Sequence, residues 1–203
     1  MELRGVRQQH NGFDAKGKNP ACDSLVTGKH KAKEQEHSRW EPPKEGCMKI
    51  NVDGAFDISS GEGGIGVTVR DATGTVQLTA WRYVRSGRDA EEVEAMACKE
   101  GLLLTAQWCQ QNAILETDCS SMVCMLAKRE DLRSHLKFII DACQEAGDRL
   151  QEWKVVHTRR ESNGVAHELA QLAKRTKHSA VWFFAAQMCV EQLIARECTL
   201  ISD

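Results

Sequence analysis

Residues 49–56 read KINVDGAF, and this stretch decides the fold class. Apolar and polar side chains alternate along its first half, which is the pattern of a strand with one face in a hydrophobic core. We therefore predict a strand from Met48 to Asp53, ending on a carboxylate, with Gly54 beginning a turn. A single aspartate before a glycine is usually a turn former, so Asp53 alone does not define a site.

Downstream of this strand, the periodicity of apolar residues predicts first a hairpin and then helices that alternate with strands. Further strands are predicted at 65–70, 75–83, 113–117 and 152–158, and helices at 90–109, 120–128, 136–150 and 165–174. The order β-β-β-α-β-α-α-β-α predicts an α/β fold. Its sheet is expected to be mixed and five-stranded, with helices on both faces.

The chain divides into three parts by composition. Residues 1–45 are polar and aperiodic, which predicts a disordered leader, and residues 46–176 hold the folded domain. In the tail, residues 177–203, an amphipathic helix is predicted from the apolar residues Trp182, Phe183, Phe184, Val190, Leu193 and Ile194. That helix either docks on its own domain or offers a surface to a protein partner, which the sequence does not identify.

Composition argues against several classes of protein. The chain has no apolar run of the ~18 residues that a membrane span needs and no visible secretory signal. Its nine cysteines contain no C-x-x-C pair, which indicates free thiols in an intracellular compartment, cytoplasmic or nuclear. The net charge is −2, and residues 47–175 hold 19 acidic against 16 basic residues. A domain of this charge that handles polyanions needs a local reason for binding them, such as bound cations.

Three carboxylates occupy positions that one sheet edge would bring together. Asp53 and Asp118 each end a predicted strand, and strand ends are where α/β folds build sites. Glu94 is in phase with the small, apolar face of its predicted helix, so it should point toward the sheet, where a carboxylate needs a cation or a proton. Each has an ordinary alternative: a turn residue for Asp53, a helix N-cap for Asp118 and a solvated first-turn residue for Glu94.

Ordered motifs extend this pattern over most of the chain. They are KINVDGAF (49–56), GGIGVTVRDATG (63–74), VEAMACKEGL (93–102), ILETDCSSMV (114–123) and HTRRESNGVAHELAQLA (157–173), flanked by WEPPKEG (40–46) and CVEQLIARE (189–197). In this order and spacing, they resemble the ribonuclease H-like superfamily, and particularly its plant retroelement-derived, reverse-transcriptase-like branch. The resemblance implies a ribonuclease H-like fold.

The resemblance also implies a chemistry. Asp53, Glu94 and Asp118 would be ligands of two Mg²⁺ ions, with Mn²⁺ as a possible substitute. The implied reaction is hydrolysis of the RNA strand of an RNA–DNA hybrid, in which one ion activates water and the other stabilises the leaving 3′ oxygen. Contacts to 2′-hydroxyl groups would distinguish RNA from DNA.

The closing motif supplies further candidates. His167 stands where the resembled family usually has a fourth aspartate, so it is predicted as a fourth catalytic residue and metal ligand; the alternative is a helix cap or a solvent-facing residue. His157 is a candidate for proton transfer, or simply a polar residue at a strand end. Gly54, Arg160 and Asn163 are predicted to contact nucleic acid, with a solvated loop as the alternative for Arg160.

Three functions are compatible with these residues. The first is a metal-dependent endoribonuclease that cuts RNA in hybrids, which the three carboxylates favour. The second is a catalytically weak or inactive nucleic-acid-binding domain derived from a retroelement, which the histidine at 167 favours. The third is a protein-interaction domain in which the acids have lost their role.

Overall fold

The computed structural model describes residues 40–128 and 134–198, so the predicted leader lies outside the described residues as far as residue 39. In chain order, the elements are β1 (Cys47–Phe56), β2 (Gly63–Arg70), β3 (Val76–Val84), α1 (Ala90–Trp108), β4 (Asn112–Thr117), α2 (Ser120–Ala127), α3 (Lys137–Gly147), β5 (Trp153–His157), α4 (Gly164–Thr176), β6 (Ala180–Phe183) and α5 (Met188–Cys198). A short 3-10 turn, Arg160–Ser162, precedes α4. The predicted order of elements is confirmed through α4.

The strands form one sheet in the order β5-β4-β1-β2-β3-β6. Strands β1, β2, β3 and β6 pair antiparallel, whereas β4 pairs parallel with β1 and β5 pairs parallel with β4. The sheet is therefore mixed, as predicted. Its size differs from the prediction, because it has six strands and not five.

The sixth strand corrects the prediction for the tail. The sequence predicts an amphipathic helix that includes Trp182 to Phe184, but Ala180–Phe183 form β6 and pair with the segment of β3 from Leu78 to Trp81. The helix begins only at Met188. Aromatic and β-branched residues favour strands, and the edge of β3 supplies the hydrogen bonds that a strand of four residues needs.

Helices cover both faces of the sheet, as predicted. Helix α1 packs on the face that carries Val52: a Cβ placed at Gly101 would lie 2.6 Å from Val52 Cγ1, so helix and strand are in close contact. Helix α4 packs on the opposite face, where a Cβ placed at Gly66 would lie 1.9 Å from the carbonyl oxygen of Ala166. This opposite face also carries Asp53, the cross-strand partner of Gly66.

Helix α5 docks on its own domain, which is one of the two alternatives left by the sequence. Val190 is fully buried in a small apolar cluster beside α4 and β3. The other buried members of that cluster are Trp81, Val165, Leu169 and Ala173. None of the helices within residues 40–128 and 134–198 is long and apolar enough to cross a membrane.

Candidate metal centre

Three carboxylates meet at one end of the sheet. Asp53 lies near the end of β1, Glu94 in the first turns of α1, and Asp118 directly after β4. Each offers a ligand oxygen, and these oxygens all lie within 4.8 Å of one another. The structure therefore brings together the three residues for which the sequence predicts a shared site.

The strand register places the two aspartates. Strands β1 and β4 are parallel neighbours with Asn51 opposite Glu116, so each strand reaches its aspartate two residues later. Asp53 and Asp118 therefore lie at the same end of the sheet. The predicted end of the first strand is wrong, because β1 continues past Asp53 to Phe56 and stays paired with β2, whereas Asp118 directly follows β4.

Gly54 allows α1 to reach this edge. A Cβ placed at Gly54 would lie 2.8 Å from the backbone nitrogen of Glu94 and 2.8 Å from the carbonyl carbon of Val93. Both are backbone atoms of a helix, which cannot move aside as a flexible side chain can. The N–H of Gly54 also donates a hydrogen bond to the carboxylate of Glu94. Gly54, which the sequence predicts as a nucleic-acid contact, thus seats Glu94 beside Asp53.

The surroundings of Glu94 favour a bound cation. Burial first, and then the negative charges of Asp53 and Asp118, raise the pKa of Glu94 to about 8. The hydrogen bond from Gly54 opposes this rise without cancelling it. The Oε2 atom of Glu94 is buried and has no hydrogen-bond partner among the described residues. A buried acceptor without a donor is costly, so this oxygen needs a proton or a metal ion.

His167 joins the site through Asp53. It lies in the first turn of α4, with its Nδ1 atom 3.0 Å from Asp53 Oδ2, and its side chain is 25% exposed. Burial, followed by the charge of Asp118, raises the pKa of Asp53, and His167 opposes that rise by charge and hydrogen bonding. His167 therefore lies at the site and does not simply face solvent. Within the described residues, however, the close group comprises the three carboxylates without it.

Two further candidates lie beside the carboxylates. His157 ends β5, its side chain is exposed, and its Nε2 atom is 3.2 Å from the backbone oxygen of Asp118. Arg160 lies in the 3-10 turn, and its positive charge weakly opposes the rise in the pKa of both Asp53 and Glu94. The closing loop thus brings an imidazole and a guanidinium close to the acidic group.

Asn163, which the sequence predicts as a nucleic-acid contact, is buried. Its side chain is 1% exposed and forms hydrogen bonds within the protein. The Nδ2 atom donates to the backbone oxygen of Val52 at 2.9 Å, and the Oδ1 atom accepts from Asn51 Nδ2 at 3.4 Å. Asn163 instead holds the start of α4 against β1.

The sequence reasoning missed a buried polar network on the α4 face of β1. Alternation predicts only that Lys49 and Asn51 lie on the polar side of the strand, yet they are 7% and 0% exposed. Arg70 of β2 is also fully buried, with its guanidinium carbon 3.6 Å from the centroid of the Trp40 ring. The sequence offers two signals, Trp40 before a pair of prolines and Arg70 inside a predicted strand. Neither signal indicates that Trp40 and Arg70 are in contact.

A family model described as reverse transcriptase-like matches residues 51–173, more than half of the 203-residue chain. The matched range contains all three carboxylates and His167, and it ends before β6 and α5. None of the curated proteins compared with the chain matches it.

Solved structures similar to this chain include ribonuclease H domains. The N-terminal RNase H domain of a Mycobacterium tuberculosis protein is 20% identical with a TM-score of 0.59, over 64% of this chain and 94% of that one. RNase H1 from the archaeon Halobacterium salinarum is 18% identical with a TM-score of 0.60, over 66% and 100%. An RNase H1 isolated from compost, solved with an RNA/DNA hybrid, is 20% identical with a TM-score of 0.58, over 64% and 98%. At these identities, the likeness shows the fold alone.

Proposed function

The chain belongs to the reverse transcriptase-like family and has the ribonuclease H-like fold, and from this premise we propose that it is a metal-dependent endoribonuclease. Its proposed reaction is hydrolysis of the RNA strand of RNA–DNA hybrids. One observation carries the proposal: the buried Oε2 atom of Glu94 has no hydrogen-bond partner among the described residues, and it lies within a group of three carboxylates. A divalent cation would coordinate that oxygen and neutralise the negative charge of the three carboxylates.

The side chains present fit Mg²⁺. Carboxylate oxygens are its preferred protein ligands, and three of them lie within 4.8 Å of one another. Their mutual repulsion, added to burial, raises the pKa of Asp53 and Glu94, so the site favours either protons or cations. Mn²⁺ would substitute, because it accepts oxygen ligands and accepts nitrogen ligands more readily than Mg²⁺ does. We propose that the site binds two of these ions.

The three carboxylates, His157 and Arg160 each have a proposed role. Asp53, Glu94 and Asp118 hold the metal. When bound, the metal supplies Lewis-acid chemistry that activates water and stabilises the leaving 3′ oxygen. His157 is exposed next to Asp118, where it would transfer a proton, and Arg160 would contact a phosphate of the substrate.

An RNA–DNA hybrid is the proposed substrate class. It is supported by the compost RNase H1 of the same fold, which was solved in complex with an RNA/DNA hybrid. Residues 47–175 hold 19 acidic against 16 basic residues, so the protein alone attracts a polyanion weakly and bound metal has to supply positive charge. We therefore expect weak substrate affinity that falls steeply with salt.

A catalytically weak or inactive nucleic-acid-binding domain is the second candidate. The observation that favours it is the imidazole of His167, 3.0 Å from Asp53, at the position where the resembled family usually has a carboxylate. A neutral imidazole adds no negative charge to attract Mg²⁺. The derivation from a plant retroelement, which belongs to either candidate, remains a prediction from the sequence motifs.

A combined cleavage and binding assay tests the proposal. The same RNA strand, end-labelled, is presented in an RNA–DNA hybrid, in double-stranded RNA and as a single strand, with Mg²⁺, Mn²⁺ or EDTA. We expect metal-dependent products from the hybrid alone. Asp118→Asn protein, purified in parallel, controls for a contaminating host nuclease. Binding of the hybrid without products in either metal would favour the inactive domain, and neither binding nor cleavage would favour a protein-interaction domain.

A further inference from the structure

A buried hydrogen-bonded network connects the middle of the sheet to the candidate metal centre. It lies on the α4 face of β1, and no part of it belongs to the group of three carboxylates. We call it the Asn51 network, and its members are Trp40, Asn51, Arg70, Glu116 and Asn163. At its ends, Lys49 forms an ion pair with Glu116, and Glu197 forms one with Arg70. Buried polar networks in which every member finds a partner fix one arrangement of the elements that contribute to them.

Asn51 is the centre of the network and uses both ends of its amide. Its Oδ1 atom accepts from Trp40 Nε1 at 2.9 Å and from a terminal nitrogen of Arg70 at 3.1 Å. Its Nδ2 atom donates to Glu116 Oε2 at 2.8 Å and to Asn163 Oδ1 at 3.4 Å. Donors on one side and acceptors on the other determine how the amide is oriented. A primary amide suits this position, because its oxygen accepts two hydrogen bonds and its nitrogen donates two.

Asn163 passes this constraint on to α4. Its side chain donates to the backbone oxygen of Val52, and its own backbone oxygen accepts from the N–H of His167 at 3.0 Å. The first turn of α4 is thereby fixed to β1 next to Asp53. His167 lies on that turn, with its ring nitrogen 3.0 Å from Asp53. The network therefore holds the helical turn that carries His167 against the backbone of β1 directly before Asp53.

We propose that Asn51 is a positioning residue for the metal centre. Without touching the three carboxylates, it fixes the start of α4 through Asn163 and so sets the contact between His167 and Asp53. This inference rests on the proposed function, because it requires that the site binds a divalent metal. Groups behind the ligands commonly determine ligand orientation and metal affinity in this way.

The test is a double-mutant cycle on Asn51 and His167, read as the affinity for Mn²⁺ alone. Electron paramagnetic resonance of unbound Mn²⁺ gives the affinity without substrate or turnover. We expect Asn51→Thr, which removes both amide donors, to weaken Mn²⁺ binding about tenfold. In a His167→Ala background, the same change should have no further effect, since the contact that Asn51 sets is already lost.

Two controls separate positioning from general damage to the fold. Thr68 is the cross-strand partner of Asn51, and its buried hydroxyl has no hydrogen-bond partner in the described part of the chain, so Thr68→Val should leave Mn²⁺ affinity unchanged. Val67 lies next to Thr68 in β2 and faces the opposite side of the sheet, so Val67→Ala should lower stability and likewise leave the Mn²⁺ affinity unchanged.

The outcomes are distinct. An Asn51→Thr protein with wild-type Mn²⁺ affinity would overturn the inference, and so would an equal loss in the His167→Ala background or in Val67→Ala. If the wild-type protein binds Mn²⁺ and the cycle shows coupling, but hybrids are not cleaved, the proposed function fails while this inference stands. A wild-type protein that binds no Mn²⁺ would overturn both.

Discussion

Glu94 is the residue that links the fold most directly to a metal ion. Its pKa of about 8 lies well above the ordinary 4.5, because the site is buried and already holds two aspartates. The folded protein therefore binds a proton more tightly than the unfolded chain. In the absence of metal, the stability linked to this group is fully present below pH 4.5 and is lost as the pH rises toward 8.

This linkage gives the first prediction. In EDTA at pH 8, Glu94→Gln should raise the melting temperature by about 2–8 °C, the shift expected for about 1–2 kcal/mol in a chain of this size. Near pH 4 the gain should largely disappear, because the wild-type carboxyl is then mostly protonated in both states. Thermal unfolding at the two pH values measures the effect. Glu91→Gln, in the same helical turn but outside the carboxylate group, is the matched control, and an equal gain at both pH values would contradict the prediction.

A second prediction concerns His167. Replacing it with aspartate puts a fourth carboxylate beside Asp53, so the variant should be less stable than the wild type in EDTA and gain more stability from Mg²⁺. Initial rates of hybrid cleavage in Mg²⁺ should rise about tenfold. The ratio of the cleavage rate in Mn²⁺ to the rate in Mg²⁺ should be higher for the wild type than for the variant. His178→Asp, outside the carboxylate group, is the control. The same Mg²⁺-to-Mn²⁺ rate ratio in wild type and His167→Asp would place His167 outside the metal site.

Among the secondary-structure elements, those with a clear period were predictable from the sequence. The alternation in β1 and the in-phase face of α1 predict their positions and the direction of Glu94, because both patterns reflect burial in one core. Strand β6 was not predictable, since four residues carry too little periodicity and the pairing partner lies in β3, far along the chain. The Asn51 network was missed for a related reason: alternation assigns a face of a strand but does not say what covers it.

Helix α5 supports a prediction at the scale of the element. Val190→Ala should lower the free energy of unfolding by about 1–3 kcal/mol, because Val190 is fully buried against α4 and β3. Met188→Ala in the same helix is the control, since Met188 is 81% exposed and should tolerate the change. Urea unfolding of the two variants measures both values. Equal stability of the two variants would mean that α5 does not dock as described.

Across the whole molecule, the proposed metal ligands and the C-terminal segment from β6 to α5 come from different parts of the chain, but Glu197 of α5 forms an ion pair with Arg70 of the Asn51 network. The family match covers residues 51–173 and includes every proposed metal ligand, whereas the sheet continues beyond it through β6. Strand β6 and helix α5 cover the edge of β3 and one side of α4, at a distance in sequence from the carboxylates. The matched range therefore supplies the proposed metal ligands, whereas β6 and α5 cover the sheet edge and contact the Asn51 network at Arg70.

The central claim is that three carboxylates form a metal centre that cuts RNA in hybrids. The most direct measurement is the rate of Mg²⁺-dependent cleavage of an end-labelled hybrid by the wild type and by Asp53→Asn, compared at equal folded concentration. Asp53 belongs to the carboxylate group and also contacts His167, so its replacement by asparagine should abolish cleavage. The melting temperature in EDTA should be unchanged or raised, because like charges no longer repel. Cleavage by Asp53→Asn at the wild-type rate would contradict the assignment of the metal centre.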